Sequence, residues 1–310
     1  TSGQLSIRWV ADELNKFLNE TVGTDNYDYI VASDTDSVYV RLGKLVDRFL
    51  PDCDDTKKIV DFLDSSSEKI IQPLIDKKYD ELAKMMNAYE NKMHMGREVI
   101  AERGIWTAKK RYALNVWDSE GIRYEEPKLK IMGIETTRSS TPAIVREKLK
   151  NAIRLILTQD EKDIQNYVAE FKEEFFSCEP EEIAFPRGVS NLEKWESSSE
   201  IYISATPIAV KGSLIYNHYI KKLKLEEKYE KIQQGDKIKF IYLKEENPIS
   251  GMKGDKVISF PASIPKELDI HRFVDYNMQF TKSFLDPLET ILNVVGWKSK
   301  EEATLEGLFI

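Results

Sequence analysis

The chain has 310 residues, a formal net charge of −8 and 41% apolar residues, which is the composition of a folded globular protein rather than a disordered one. No stretch approaches the roughly 20 consecutive apolar residues of a membrane-spanning helix, so we expect no membrane span. The acidic net charge argues only weakly against nucleic-acid binding, because a phosphate backbone meets the local charge of a surface and not the average of the chain.

Cysteine and histidine usage argues against zinc chemistry. Cys53 and Cys178 lie far apart without a metal-ligand or redox spacing, so we interpret them as free thiols of a reducing compartment. The three histidines show no ligand spacing either. The chain begins with Thr rather than Met, from which we expect a processed chain or part of a longer one.

The first part of the chain predicts a helix, a hairpin and a second helical region. Apolar residues recur at helical spacing over residues 2–20. The runs 29–32 and 38–40 are β-branched and aromatic, and they flank Asp34-Thr35-Asp36-Ser37, which predicts a hairpin with this tetrapeptide at its turn. A further apolar helical face extends from Ile70 to Tyr89, with Pro73 near its start and the methionines in the core.

The rest of the chain predicts strands followed mainly by helices. Residues 97–134 alternate as an antiparallel pair that turns at residues 118–121. Pro142 starts a helical hairpin over residues 142–176, and residues 185–236 give a mixed pattern. Strands follow near Ile238–Tyr242 and Val257–Phe260, and the end is helical up to Gly296. The strand pair contains a local basic cluster, which consists of Arg97, Arg103, Lys109, Lys110, Arg111, Arg123, Lys128 and Lys130.

Two short motifs point to chemistry. Asp34 and Asp36 at the tip of a hairpin make an anionic site suited to a hard divalent cation, although an ordinary Asp-rich turn has the same sequence pattern. In Lys109-Lys110-Arg111-Tyr112, a strand places Lys110 and Tyr112 on one face, where they suit a duplex backbone or a minor groove. Lys130 is an additional candidate contact. The alternative for this second motif is a solvated basic edge strand.

These motifs resemble those of the family B DNA polymerases, in particular the replicative polymerases of T-even-like bacteriophages. The run from Asp34 to Val40 is similar to motif C, the palm hairpin with a catalytic aspartate. Lys110-Arg111-Tyr112 is similar to the Lys-x-Tyr motif, which binds primer-template near the primer terminus. Longer similar stretches extend the resemblance over essentially the whole chain; they are Trp106–Val116, Pro127–Pro142 and the helix around Lys282-Ser283-Phe284.

The resemblance implies a role for each motif residue. Asp36 would be the metal-ligating aspartate of a two-Mg²⁺ site, with Asp34 as a carboxylate near the metals and Thr35 and Ser37 as nucleotide-binding residues. Primer-template DNA would contact a set of five residues, which are Lys109, Lys110, Arg111, Tyr112 and Lys130. The extreme C-terminus would dock in a sliding clamp through Leu305, Leu308 and Phe309. From the residues alone, an apolar tail packed on its own domain is equally open.

The implied fold is α+β: an antiparallel palm sheet with packed helices, then a largely helical thumb. We place the boundary at Glu125-Glu126-Pro127, which gives a palm portion over residues 1–126, a thumb over 127–300 and a clamp-binding tail over 301–310. The sequence departs from the family pattern in two ways. Ser33 stands where the family usually has Gly before the first aspartate. Nothing resembles motif A, which supplies the other metal-ligating aspartate, or the fingers motif and the exonuclease domain.

The function implied is therefore the C-terminal portion of a DNA-directed DNA polymerase of phage replication. It would use deoxynucleoside triphosphates in the cytoplasm of the infected bacterial host, and would need an N-terminal part with exonuclease, motif A and fingers. Alone, the chain should be inactive. A naturally split subunit and a truncated chain both stay open. The alternatives are a non-catalytic DNA- and clamp-binding module and, less consistent with the basic motif, a glycosyltransferase that uses Asp-x-Asp.

Overall fold

The computed structural model describes residues 2–134, 138–197, 200–249 and 255–301. It contains packed helices and antiparallel strand pairs, and the predicted α+β class is confirmed. Two compact units divide the chain: one comprises Thr1–Gly104 and Ala108–Lys130, the other Ile105–Thr107 and Ile131–Ile310. Among the described residues, no helix has the length and apolar character needed to cross a membrane.

The helices of the first unit surround an apolar core. Its helical segments are α1 (Ser2–Val22), α2 (Gly43–Phe49), α3 (Thr56–Ser66), a π-helical segment (Ser67–Ile71) and α4 (Gln72–Met85). Helix α1 turns one face inward because its apolar residues recur every three or four positions. Val10 and Leu14 on that face pack against Ile75 and Tyr79 of helix α4.

The second helical region of this unit differs from the prediction. The helical run starts at Thr56, so Pro73 lies inside it and not near its start. Pro73 lies two residues after the end of a π-helical segment, at whose end the Gln72 amide donates to the Ser67 carbonyl, five residues earlier. We attribute the π segment to the proline, which lacks an amide hydrogen and would crowd the carbonyl four residues before it.

The core predicted for this region is also partly wrong. Ile75, Tyr79 and Leu82 are buried, but Met85 and Met86 at the end of α4 are exposed, as is Tyr89. Helix α4 ends at Met85, so the helical spacing that aligned these residues with the core does not continue beyond it.

The strands of the first unit form one hairpin and one sheet. β1 (Ile30–Ser33) and β2 (Val38–Val40) are antiparallel. The other sheet has the order β3-β4-β5, with β3 at Val99–Ala108, β4 at Arg111–Ser119 and β5 at Ile122–Met132; residues 105–107 and 131–132 of these strands belong to the other unit. The β4–β5 turn consists of Glu120 and Gly121, both at positive φ, as a two-residue hairpin loop favours.

The second unit contains the predicted helical hairpin and a three-stranded sheet of order β6-β7-β8. Its α-helices are α5 (Ala143–Thr158), α6 (Glu161–Ser177), α7 (Pro180–Ile183), α8 (Leu192–Trp195), α9 (Ile208–Lys222), α10 (Tyr276–Phe280) and α11 (Asp286–Val295). Its strands are β6 (Phe185–Gly188), β7 (Lys237–Tyr242) and β8 (Val257–Phe260). Short 3₁₀ helices cover Lys266–Leu268 and His271–Phe273, and a π-helical segment covers Thr281–Leu285.

An aromatic cluster forms the centre of this unit. Phe171 and Phe175 of α6 meet Phe280 and Phe284 of the C-terminal helical run, with ring centroids between 4.7 and 5.7 Å apart. All four rings are buried. Burial of such rings is a large source of stability, so α6 and the C-terminal helical run are held together through them.

Candidate functional site

The β1–β2 hairpin presents the aspartate turn as predicted. Its strands pair Ala32 with Tyr39 and Ser33 with Val38. The Asp34 amide donates to the Ser37 carbonyl at 2.9 Å and closes the turn. At the other end of the hairpin the Tyr29 ring is fully buried, and the backbone amide of Tyr29 donates to the Asn15 side chain of α1 at 2.7 Å. The hairpin is thus anchored on the core, and its tip is exposed at Thr35 and Asp36.

The two aspartates have different surroundings. Asp34 accepts a hydrogen bond from the Thr35 amide at 2.9 Å, and its carboxylate lies 3.5 Å from the Lys110 ammonium. Partial burial favours a higher pKa for Asp34, but the Thr35 amide and the ammonium groups of Lys110 and Lys109 lower the pKa below its ordinary value. Asp36 is exposed. Ser37 is half-buried and Thr35 is exposed beside them.

The first half of the basic motif lies in a turn and the second half on a strand. β3 ends at Ala108 and β4 begins at Arg111, so Lys109 and Lys110 form the connection between them. Lys110 has a left-handed backbone with φ of 61°. The prediction that Lys110 and Tyr112 share one face of a strand is therefore wrong, because Lys110 lies in a turn, which does not have the two-residue periodicity of a strand. The turn nevertheless brings Lys110 to Asp34.

A second contact joins the two motifs. The rings of Tyr39 on β2 and Tyr112 on β4 have centroids 5.4 Å apart and are tilted by 59°. Burial, followed by the Tyr112 hydroxyl, raises the pKa of Tyr39 to about 12. The structure thus brings together the aspartate turn and the basic turn through Asp34–Lys110 and Tyr39–Tyr112, within one compact unit.

Lys130, the last of the five predicted DNA contacts, has an acidic partner. Its ammonium lies 2.7 Å from the Glu98 carboxylate, and the Lys130 side chain is 32% exposed. Glu98 is also close enough to Tyr39 to raise the pKa of that phenol. Neither Tyr39 nor Glu98 was assigned a role from the sequence. Tyr39 lies inside the motif C stretch, but no sequence signal singles out Glu98.

The basic cluster predicted over residues 97–130 is partly structural. Arg97 forms ion pairs with Asp64 at 2.6 Å and with Asp118, and Arg123 lies 3.1 Å from Asp118. Asp118 is almost fully buried, and its burial alone would raise the pKa. Hydrogen bonds from Arg97 and Arg123 outweigh this and lower the pKa of Asp118 below its ordinary value. These two arginines therefore hold β4 and β5 to helix α3.

The carboxylates present fit part of a magnesium site. Carboxylate oxygens are ligands that Mg²⁺ favours, and Asp34 and Asp36 flank one tight turn. Over residues 2–134, 138–197, 200–249 and 255–301, however, no group of three or more His, Cys, Asp or Glu side chains is placed to hold a metal ion. Asp34 and Asp36 thus fit a part of the ligand set of a magnesium ion, and not the whole set. The predicted clamp-binding residues Leu305, Leu308 and Phe309 lie outside the described residues.

Comparison with known proteins assigns the chain to a family. The family model of DNA polymerase family B matches residues 75–294. The chain is 36% identical over 99% of its length to a DNA-directed DNA polymerase of Enterobacteria phage T4. It is likewise 36% identical over its full length to that of Escherichia phage RB69. A DNA polymerase of Methanocaldococcus jannaschii is 26% identical over 77% of the chain.

The matches cover only part of these relatives. The chain spans 35% of the length of each phage polymerase and 13% of the archaeal one. The family match covers more than half of the chain, and the two phage proteins are similar along nearly all of it. The chain therefore belongs to DNA polymerase family B and is similar to the polymerases of T-even phages.

Proposed function

We propose that this chain is the C-terminal portion of a DNA-directed DNA polymerase and provides part of its palm and its thumb. The observation that carries this proposal is the contact between the aspartate turn and the basic turn, where Asp34 and Lys110 meet at 3.5 Å. Nucleotidyl transfer needs metal-binding carboxylates and a primer-binding surface side by side. We assign residues 1–126 to the palm and 127–300 to the thumb.

The reaction of the assembled enzyme is template-directed attack of a primer 3′-hydroxyl on the α-phosphate of a deoxynucleoside triphosphate. Asp36 and Asp34 would hold Mg²⁺, which when bound lowers the pKa of the attacking hydroxyl and neutralises the charge that develops on the phosphate. Asp36 is the main ligand in this proposal because it is exposed at the tip of the turn, whereas Asp34 faces Lys110. Thr35 lies between these carboxylates and Ser37 beside them, where both would contact the nucleotide.

The proposed site needs a further part. Two metal ions roughly 3.5–4 Å apart require carboxylates from more than one strand, and the hairpin supplies only its own two. We therefore infer that a partner chain or a further N-terminal region provides motif A, the fingers and the exonuclease. This inference is consistent with a chain that spans 35% of its phage relatives.

Primer-template DNA would lie along the basic turn and the end of β5. Lys109, Lys110 and Arg111 would meet phosphates, Tyr112 would contact DNA near the primer terminus, and Lys130 would reach the minor groove. Leu305, Leu308 and Phe309 form the proposed sliding-clamp contact. By analogy with its phage relatives, the enzyme would act in the cytoplasm of an infected bacterium.

The test is Asp36→Ala in the assembled enzyme. We expect nucleotide incorporation to be lost while primer-template affinity stays within about twofold, because the lost carboxylate serves the metals and not the DNA. Asp25→Ala, an exposed aspartate in the loop before the hairpin, is the matched control and should leave incorporation unchanged. Turnover near that of wild type in Asp36→Ala would refute the assignment.

A further inference from the structure

Tyr39 lies between the aspartate turn and the proposed DNA contact Tyr112. It pairs with Ala32 across the hairpin, so its backbone is fixed to the same element as Asp34 and Asp36. Its ring contacts the Tyr112 ring at 5.4 Å between centroids. Its hydroxyl hydrogen-bonds with the side chains of Tyr112 and Ser37.

Burial and the contact with Tyr112 act on the Tyr39 phenol in the same direction. Both raise its pKa, to about 12, so the phenol keeps its proton near neutral pH. The Ser37 side chain acts in the opposite direction and lowers the pKa of Tyr39. The hydroxyl groups of Ser37, Tyr39 and Tyr112 therefore lie in a row of contacts from the aspartate turn to β4.

We propose that Tyr39 is a positioning residue, which holds the Tyr112 side chain in the orientation that binds primer-template and at a fixed place relative to Asp36. The proposal rests on the function proposed above, since it takes Tyr112 as a DNA contact. A tyrosine side chain has only two rotatable bonds that place its ring. A tilted ring contact and a hydrogen bond to the phenol oxygen together fix the ring plane and the position of the hydroxyl.

The surroundings of Tyr39 extend to the other proposed DNA contact on this sheet. Glu98 is electrostatically close to the Tyr39 hydroxyl and forms the 2.7 Å ion pair with Lys130. Tyr39 therefore contacts Tyr112 directly and lies near Glu98, the ion-pair partner of Lys130. A displaced Tyr112 would lose part of its contact with the primer terminus, so the positioning should be measurable as primer-template affinity.

The experiment is a double-mutant cycle on DNA affinity with the full chain. Tyr39→Phe, Tyr112→Phe and the double variant are compared by fluorescence anisotropy, with a labelled recessed primer-template and with a blunt duplex, in a buffer with chelator. Loss of one hydroxyl in a pair should weaken recessed primer-template binding about three- to fivefold. The double variant should be no weaker than Tyr112→Phe, because both changes break the same contact.

The control is Tyr124→Phe on β5. Tyr124 is half-buried, and the Lys128 ammonium lies 4.0 Å from its ring centroid, a contact that does not need the hydroxyl. This variant should bind both DNAs as wild type does. The slope of log Kd against log salt should stay unchanged in every variant, because no charge is removed.

Four other results would overturn the inference. Wild-type affinity in Tyr39→Phe, or independent losses that add in the double variant, would exclude positioning but leave the proposed function standing. An equal loss on recessed and blunt DNA, with a lowered unfolding midpoint, would show that Tyr39 only supports the fold. A wild-type chain with no affinity for primer-template would refute the proposed function, and the positioning role with it.

Discussion

The ion pair between Asp34 and Lys110 joins two residues that have different tasks in the proposed enzyme. Asp34 would face the metals and Lys110 the DNA, so each must leave the other to act. The Lys110 side chain is 69% exposed and the ammonium–carboxylate distance is 3.5 Å. Ion pairs with one such exposed partner contribute little to stability. We therefore expect Asp34 and Lys110 to separate at little cost in free energy when each binds its proposed ligand.

The first prediction concerns Asp34→Asn. Without metal, this change should tighten primer-template binding about twofold to threefold, because it frees the Lys110 ammonium for a phosphate. Fluorescence anisotropy at fixed salt measures the effect. The control is Asp36→Asn, which removes the same charge from the same turn and so measures the effect of weaker repulsion between the turn and the DNA phosphates. The gain in affinity from Asp34→Asn should vanish when Lys110 is also replaced by Met. If Asp34→Asn and Asp36→Asn raised the affinity equally, both with Lys110 and with Met at that position, the prediction would be contradicted.

The second prediction concerns the buried carboxylate Asp118. Asp118→Ala removes the buried carboxylate that Arg97 and Arg123 share and should lower the free energy of unfolding by about 2 kcal/mol. This is less than for a fully buried pair, because Arg123 is partly exposed and both arginines keep Asp64 as a partner. Urea unfolding measures this. The control is Asp61→Ala, which removes the 71% exposed partner of Arg123 and should change stability little. Equal effects would show that burial does not matter here.

The same residue predicts a pH dependence. The pKa of Asp118 is lowered in the folded protein, so its contribution is present above the unfolded value of about 3.9 and is lost as the pH falls through the lower folded value. The difference in unfolding free energy between wild type and Asp118→Ala should thus be constant near neutral pH and narrow below about pH 4. If this difference in unfolding free energy increased on acidification, the lowered pKa of Asp118 would be contradicted.

At the scale of elements, helix α9 and strand β8 approach very closely at Gly212. A Cβ at this position would lie 2.7 Å from the Ser259 amide nitrogen and 2.9 Å from the Ile258 carbonyl carbon. These are backbone atoms of a buried strand, so they cannot rotate away. The glycine is needed here for space and not for its backbone freedom.

The third prediction follows from that approach. Gly212→Ala should destabilise the protein by about 1–3 kcal/mol, because α9 must shift from β8. Helix propensity alone predicts the opposite sign, a gain of roughly 1 kcal/mol. Gly43→Ala in α2 is the control, since a Cβ at that position would have no heavy atom within 4 Å and the change should be neutral or stabilising. A stabilising Gly212→Ala would refute the close packing of α9 on β8.

Elements with one buried face were predictable, and the others were not. Helices α1, α5 and α6 bury a stripe of apolar residues, so their helical periodicity is visible in the sequence. Helix α9 is buried on most sides and includes Gly212 and Ser213, so it has no clear stripe. Strand β6 is short and contains Pro186. Because β6 lies at the edge of its sheet, the proline is tolerated there, but a proline in the sequence argues against a strand.

The candidate site was predictable as motifs but not as contacts. The sequence indicates Asp34, Asp36 and Tyr112 through their local pattern. It does not indicate that Lys110 lies in a turn, because a non-glycine residue at φ of 61° has no strong sequence signal. It also cannot show that Arg97 and Arg123 are held by Asp64 and Asp118, which are distant in sequence.

At the scale of the whole molecule, the two compact units match a polymerase family along a third of its phage members' length. In the function proposed above, the metal site would be shared between this chain and a region outside it. A shared site would account for both the aspartate turn and the lack of a complete metal-binding cluster among the described residues.

The most direct measurement is primer extension with Mg²⁺ and the four deoxynucleoside triphosphates. One reaction contains this chain alone, a second adds a chain with motif A and the fingers, and a third repeats the second with Asp36→Ala. We predict extension only in the second reaction. Extension by this chain alone would contradict a shared metal site. No extension in any reaction, with duplex binding retained, would instead support a non-catalytic DNA-binding module.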